Sequence, residues 1–208
     1  MALIKRTPTT GRTETHERKQ DRDCAGLQAR LDDPSSEARR WAARDLVNCP
    51  DSSGALVNRL RMEMDPSVRE VIFTTLTHLG DSTAVAGLVE FMRSEDVSLR
   101  NEAIEAMKQL PDAVAPIMRD LLTDESSDMR IFAVNILESL RHPDVELWLR
   151  EVIERDPHIN VCATAVDLLG EVGSHDALRS LEQLKARFAG QAYIKFAADL
   201  AIKRIQED

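Results

Sequence analysis

Aromatic residues are scarce in this chain: five Phe, two Trp and one Tyr make up 4% of 208 residues, so any core must be built from aliphatic side chains rather than large rings. Glycine is also scarce, at eight residues, and neither GxGxxG nor GxxxxGK[ST] occurs, which excludes the usual loops that cradle a nucleotide. There is no apolar run long enough to span a bilayer and no apolar segment near the start with the form of a signal peptide. Cys24, Cys49 and Cys162 are odd in number, widely spaced and without a CxxC, so they suggest neither a disulfide framework nor a zinc site. The expectation is three thiols in or near helix packing, with the cytoplasm as the default compartment.

Catalytic signatures are equally thin. GxSxG is missing, and His78, His142, His158 and His175 show neither HExxH nor a repeated spacing. The pair Glu102 and Glu105, three residues apart on an open helix face, lacks the burial that raises a carboxylate pKa for acid–base work. No catalytic residue, metal ligand or cofactor is therefore expected.

What the chain does have is a motif returning about every thirty residues. It reads Val68-Arg69 followed by Ile72, Leu76 and Leu79; Leu99-Arg100 by Ala103, Met107 and Leu110; Met129-Arg130 by Ala133, Leu137 and Leu140. Further copies start at Ala38-Arg39 and Val161-Cys162, with a looser one at Ile194-Lys195, which makes six. Between them lie second amphipathic segments: Leu56 and Leu60; Leu88 and Met92; Ile117 and Leu121; Trp148, Leu149 and Val152; Leu178 and Leu181. Each unit is a helix A, a turn and a helix B. Pro34, Pro66 and Pro157 each follow an aspartate just before a B helix, where proline suits a first turn. Gly80 and Gly173 lie just past periodic runs, where a left-handed C′ residue is expected.

The runs DPSVREVIFTTLTHLGDSTAVAGL and VCATAVDLLGEVGSHDAL resemble HEAT repeats, and more narrowly the short HEAT-like repeats first grouped with phycobilisome lyases. The resemblance covers residues 23–208. It implies an all-α, right-handed α-solenoid of about six hairpins, with A helices on the convex side and B helices lining the concave side. It also implies a ladder in which a turn aspartate bonds the B-helix arginine; Asp65 with Arg69 and Asp96 with Arg100 match it, while Cys162 breaks it in the fifth repeat. One helical-repeat enzyme class holds two irons through repeated His-Glu pairs, and this chain has only His16-Glu17.

Residues 1–22 differ from the rest: a basic leader with a formal charge of +3 and almost no apolar residue after Ile4, expected to be disordered or partly helical. The whole chain carries −9, so the repeats carry −12. That sign argues against nucleic acid, which requires clustered cations. Counting from each B-helix cation, the side opposite the buried stripe offers Glu70, Thr74, Asn101, Glu102, Glu105, Asn135, Glu138 and Asp167. Arg40, Trp41 and Arg44 fall at the N-terminal end of this face, and Ile131 and Phe132 form an apolar patch within it.

The favoured function is a non-enzymatic adaptor or scaffold that docks a protein or peptide with a basic surface on the concave B-helix face, fitting a regulatory part in a bacterial signalling or assembly complex, with no nucleic acid and no membrane. Two alternatives stay open. One is a bilin (tetrapyrrole) lyase subunit, which the resemblance implies although Trp41, His78, Cys162 and Tyr193 form no recognisable constellation. The other is a homodimer through the C-terminal repeat, where Phe196 and Leu200 are set for exposure.

Overall fold

The protein is described from a computed structural model, which covers residues 23–207; the basic leader expected over residues 1–22 lies outside the described residues. All regular structure among these residues is helical. The chain divides into two compact units between Ile72 and Phe73.

The first unit runs α1 (Cys24–Ala29), α2 (Ser36–Asp45), α3 (Ser53–Leu60) and the opening turns of α4 (Pro66–Leu79). Its helix starts are capped as the sequence suggests. The Asp23 side chain accepts the Gly26 amide, Ser35 accepts that of Ala38, and Pro66 opens α4 where no amide donor is needed. Leu27, Leu31, Ala42, Leu46, Leu56, Leu60, Val68 and Ile72 are buried.

Among these apolar residues sits one carboxylate, Glu63, which is 1% exposed. Arg39 donates to it through Nε at 2.7 Å and Nη2 at 2.9 Å, Arg59 through Nε at 2.9 Å, and the Met64 and Asp65 amides complete the shell. Burial alone would raise its pKa, but the bonds from Arg39, the Asp65 amide and Arg59 outweigh burial and hold it at about 2.

The unit also corrects the cysteine reading. Cys24 and Cys49 form a disulfide, with Cα atoms 5.5 Å apart, and only Cys162 stays free. Helix α1 folds back on α2 and on the 3-10 turn that follows it, Leu46–Asn48, so 25 residues of sequence separation collapse to one bond. Spacing alone carried no sign of this.

The second unit continues through α5 (Ser82–Met92), α6 (Val97–Lys108), α7 (Pro111–Val114), α8 (Met118–Leu122), α9 (Ser127–Leu137), α10 (Val145–Arg155), α11 (Ile159–Val172), α12 (Leu178–Arg187) and α13 (Ala192–Glu207). Hairpins form from α5 with α6, α8 with α9, α10 with α11, and α12 with α13. The B helices α6, α9, α11 and α13 pack in a row, each on the next. Ala103, Ala133, Ala165 and Ala198 recur at one register position and are fully buried, so adjacent helices approach closely there, and Met107, Leu137 and Leu169 fill the layer one turn on.

Gly80 has φ of +56° after α4, as its position requires. Gly173 does not: its φ is −76°, an extended residue. Glycine is needed there because a Cβ would meet the Leu169 carbonyl oxygen at 2.5 Å. The A helix of the fourth repeat is also less regular than its periodicity suggests. Pro116 offers no amide donor and crowds the preceding turn, so the segment breaks into α7, a 3-10 turn at Ala115–Ile117 and the five-residue α8.

The A-to-B turns share one construction. The residue six before each motif arginine accepts that arginine on its carbonyl: Arg39 Nη1 to Asp33 at 2.9 Å, Arg69 Nε to Glu63 at 2.6 Å, Arg100 Nη1 to Ser94 at 3.0 Å, Arg130 Nη1 to Asp124 at 2.8 Å. The side chain of the same turn residue accepts the amide two residues on, at Ser35, Asp65, Asp96, Ser126 and His158. The arginines thus reach turn carbonyls, and some also reach the carboxylate of the following turn, as Arg39 does at Glu63 and Arg130 at Asp156, 2.6 Å from Nε. Asp96 caps the Ser98 and Leu99 amides, and Asp65 accepts from Ser67. In the fifth repeat the ladder continues by other means. Cys162 Sγ lies 3.4 Å from the Asp156 carbonyl, and Arg187, from the end of α12, donates to that carbonyl at 2.7 Å.

Two outcomes follow. Glu63 has a folded pKa below the unfolded value of 4.5, so its stabilisation is complete above that value and drains away as pH falls toward 2; acid titration of Glu63→Gln should lack this loss, which is on the order of 3 kcal/mol in the intact chain. Denatured, unreduced protein should show one titratable thiol, and reduction should lower the stability of the first unit by about 3 kcal/mol in urea unfolding.

Candidate partner-binding face

Each B helix buries its alanine stripe, so the residues between stripes are carried outward. In the first unit Arg40, Trp41, Arg44 and Glu70 are all exposed. Trp41 is 44% exposed, and the Arg44 guanidinium lies 5.2 Å from its ring centroid, a cation–π contact that leaves part of the indole open to solvent.

In the second unit Thr74, Asn101, Glu105, Glu138 and Asp167 are exposed, while Glu102, Ile131, Phe132 and Asn135 are half-buried. Five of the polar positions are thus open, while Glu102 and Asn135 are half-buried like the apolar pair. The apolar patch does not form as expected. Ile131 and Phe132 are largely covered because α6 packs on α9, and the Arg100 guanidinium lies 5.7 Å from the Phe132 ring. Exposed apolar surface gathers instead on α13, where Tyr193, Phe196 and Leu200 stand open, Phe196 at 68%.

The acidic positions of neighbouring repeats converge. Lys108 Nζ on α6 is 3.2 Å from Glu105 of its own helix and 3.6 Å from Glu138 at the end of α9. Glu102 accepts the Ser98 hydroxyl at 2.9 Å on one oxygen, and its other oxygen is buried with no protein donor. Asp167 on α11 has its pKa raised by burial. The face therefore reads as carboxylates from successive B helices with one internal ammonium among them.

The residues weighed for pigment chemistry sit on four helices, α2, α4, α11 and α13. Burial pushes the Cys162 thiol up to about 11, against the opposing pull of Arg187 3.0 Å away, so it stays protonated at neutral pH. Among the described residues no group of three or more His, Cys, Asp and Glu is placed to hold a metal, and His16-Glu17 lies outside them. No described helix is long and apolar enough to cross a membrane.

Stacked helical hairpins with a repeated rung define a helical-repeat protein. The HEAT-repeat profile matches at residues 24–108, 53–131 and 115–189, so the chain belongs to the HEAT-repeat family. No curated protein matches it significantly. Among solved structures, human deoxyhypusine hydroxylase in complex with glycerol is 16% identical over 89% of this chain and 85% of that one, with a TM-score of 0.47. The complex of CpcE and CpcF of phycocyanin lyase from Nostoc sp. PCC7120 is 16% identical over 98% and 100%, with a TM-score of 0.39. A designed armadillo repeat protein is 13% identical over 88% and 100%, with a TM-score of 0.40. At such identities and scores neither activity nor ligand transfers.

Because Glu105 is exposed and, among the described residues, ion-pairs only with Lys108, which keeps Glu138 as a second partner, Glu105→Lys should leave unfolding free energy within about 0.5 kcal/mol of the parent, read from urea midpoints at constant slope.

Proposed function

We propose that this chain is a non-enzymatic adaptor whose B-helix face docks a basic protein or peptide segment. The observation that supports this reading most directly is Lys108. One ammonium is held between carboxylates of two successive repeats, Glu105 and Glu138, at 3.2 and 3.6 Å, and a partner's lysine or arginine set beside it meets the same spacing. Glu102 adds a buried carboxylate oxygen that lacks a donor, which a partner N–H satisfies. Electrostatics of this kind sets encounter rate and selectivity more than affinity, which rests on a few desolvated anchors. With Ile131 and Phe132 half-buried, the anchor role in the second unit falls to the partner's own apolar residues.

The cytoplasmic default drew one of its supports from three unpaired cysteines. A disulfide at Cys24–Cys49 removes that support and favours an environment in which the pair stays oxidised.

The test is a charge reversal that leaves the fold intact. The parent chain and the double variant Glu105→Lys, Glu138→Lys are compared as baits in one lysate and by fluorescence anisotropy with a labelled Lys/Leu-alternating peptide. Peptide affinity falling about tenfold or more in the variant, with the same captured protein lost, supports the reading; equal binding by both chains overturns it.

A further inference from the structure

Outside the B-helix face, a cleft of about 440 Å³ opens in the second unit between α8 and α10. It lies where Pro116 has shortened the A helix, so five residues of α8 face eleven of α10. Trp148, Glu151, Val152 and Arg155, at i, i+3, i+4 and i+7, form the α10 wall. Arg119 and Leu122 stand on the other side. Such a volume suits a small molecule or a few residues of a peptide.

Two donors in this lining, the Trp148 indole and the Arg155 guanidinium, have no acceptor among the described residues. Trp148 is 3% exposed and stacks on His142 with centroids 4.8 Å apart, yet its Nε1 is buried without an acceptor among the described residues. Arg155 has no carboxylate within ion-pair distance among them, and Arg119 reaches Glu151 only at 3.9 Å. The lining acceptors are mostly engaged. Asp124 takes Arg93 and the Ser126 amide, which lower its pKa; Asp156 takes Arg130 and the His158 amide; the Thr123 hydroxyl donates to the Arg119 carbonyl. Two lining carboxylates remain: Asp120, exposed at the rim, and Glu151, held only by the long contact to Arg119. A ligand that completes the cleft brings acceptors and an apolar body.

We propose that this cleft binds a carboxylate carried on an apolar or aromatic body. The carboxylate pairs with Arg155, whose planar fork suits two oxygens, and draws Arg119 from its loose contact with Glu151. The body lies against Leu122, Val152 and Pro157, and an acceptor on it or the carboxylate itself receives the Trp148 indole N–H. The Arg130–Asp156 pair, already saturated, forms a fixed border to the site. A free organic acid and the C-terminal carboxylate of a peptide both supply this chemistry.

The chain contains two tryptophans, so Trp41→Phe leaves Trp148 as the single indole in a ¹H–¹⁵N spectrum. Into this full-length variant are titrated phenylacetate, phenylacetamide, and one pentapeptide ending in Leu-Phe as free acid and as amide. The expected result is a saturable shift of the Trp148 indole N–H with the acids, at least about tenfold weaker binding of the amides, and about tenfold weaker acid binding in Arg155→Gln with an unchanged melting curve. Tighter binding of the peptide acid marks a protein carboxyl terminus as the source, and tighter binding of phenylacetate marks a free acid. An indole resonance unmoved by all four probes up to about 10 mM, equal binding of acids and amides, or an Arg155→Gln chain with parental affinity overturns the proposal.

Discussion

The bond on which the rest depends is the one from each motif arginine to the carbonyl six residues before it. A turn between antiparallel helices leaves carbonyls and amides without helical partners, and burying them unpaired costs more than any single packing contact gains. Here one turn residue meets both needs: its carbonyl takes the guanidinium and its side chain takes the amide two residues on. The turn is thereby closed from both ends, and the B helix leaves it in a fixed direction. That direction is what allows Ala103, Ala133 and Ala165 to meet in register. The fifth repeat shows that the constraint is the bond rather than the residue. With Cys162 at the motif position, Arg187 arrives from another helix to occupy the same carbonyl.

The same arginines also link repeats, and that couples the turns to burial of charge. Arg39 with Glu63 and Arg130 with Asp156 are nearly inaccessible pairs, so their worth lies in completeness: each carboxylate also accepts at least one backbone amide, and neither charge of the pair is left alone. Removing one partner strands the other without solvent, which is costlier than the pair is favourable. Glu63 illustrates the balance, since desolvation pushes its pKa up while two guanidiniums and an amide bring it down to about 2.

The fold was legible because its signal is periodic. Each copy of the motif restates where the stripe lies, so errors at one repeat are corrected by the next, and Ala42, Leu76, Met107, Leu137 and Leu169 are all buried as their spacing implies. The polar face was legible for the same reason, as the complement of that stripe. What escaped depends on contacts that periodicity does not encode. The disulfide joins Cys24 to Cys49 through the return of α1 on α2, and Phe132 is covered by a side chain from the previous repeat. Arg187 fills a rung from 25 residues beyond Cys162. Gly173 was placed correctly at a helix end but for a steric reason, its missing Cβ, rather than a left-handed conformation. The break at Pro116 also escaped, because the spacing of Ile117 and Leu121 was followed there rather than the missing amide donor, and the cleft beside Trp148 went unseen with it.

The two surfaces differ in chemistry as well as place. The B-helix side gathers carboxylates from successive repeats and already holds one ammonium, whereas the cleft between A helices holds an indole N–H and a guanidinium in search of acceptors. Arg130 on α9 stands between them: its guanidinium borders the cleft, while Glu138 at the end of the same helix belongs to the outer face. Because that guanidinium is saturated by Asp124, Glu125 and Asp156, filling the cleft cannot move it without breaking the rung that sets the direction of α9. Movement is then confined to the side chains that are loosely held, Arg119 and Glu151. A repeat built this way keeps its outer face at constant spacing whatever the cleft contains, so the two proposed sites would act independently rather than as two states of a switch.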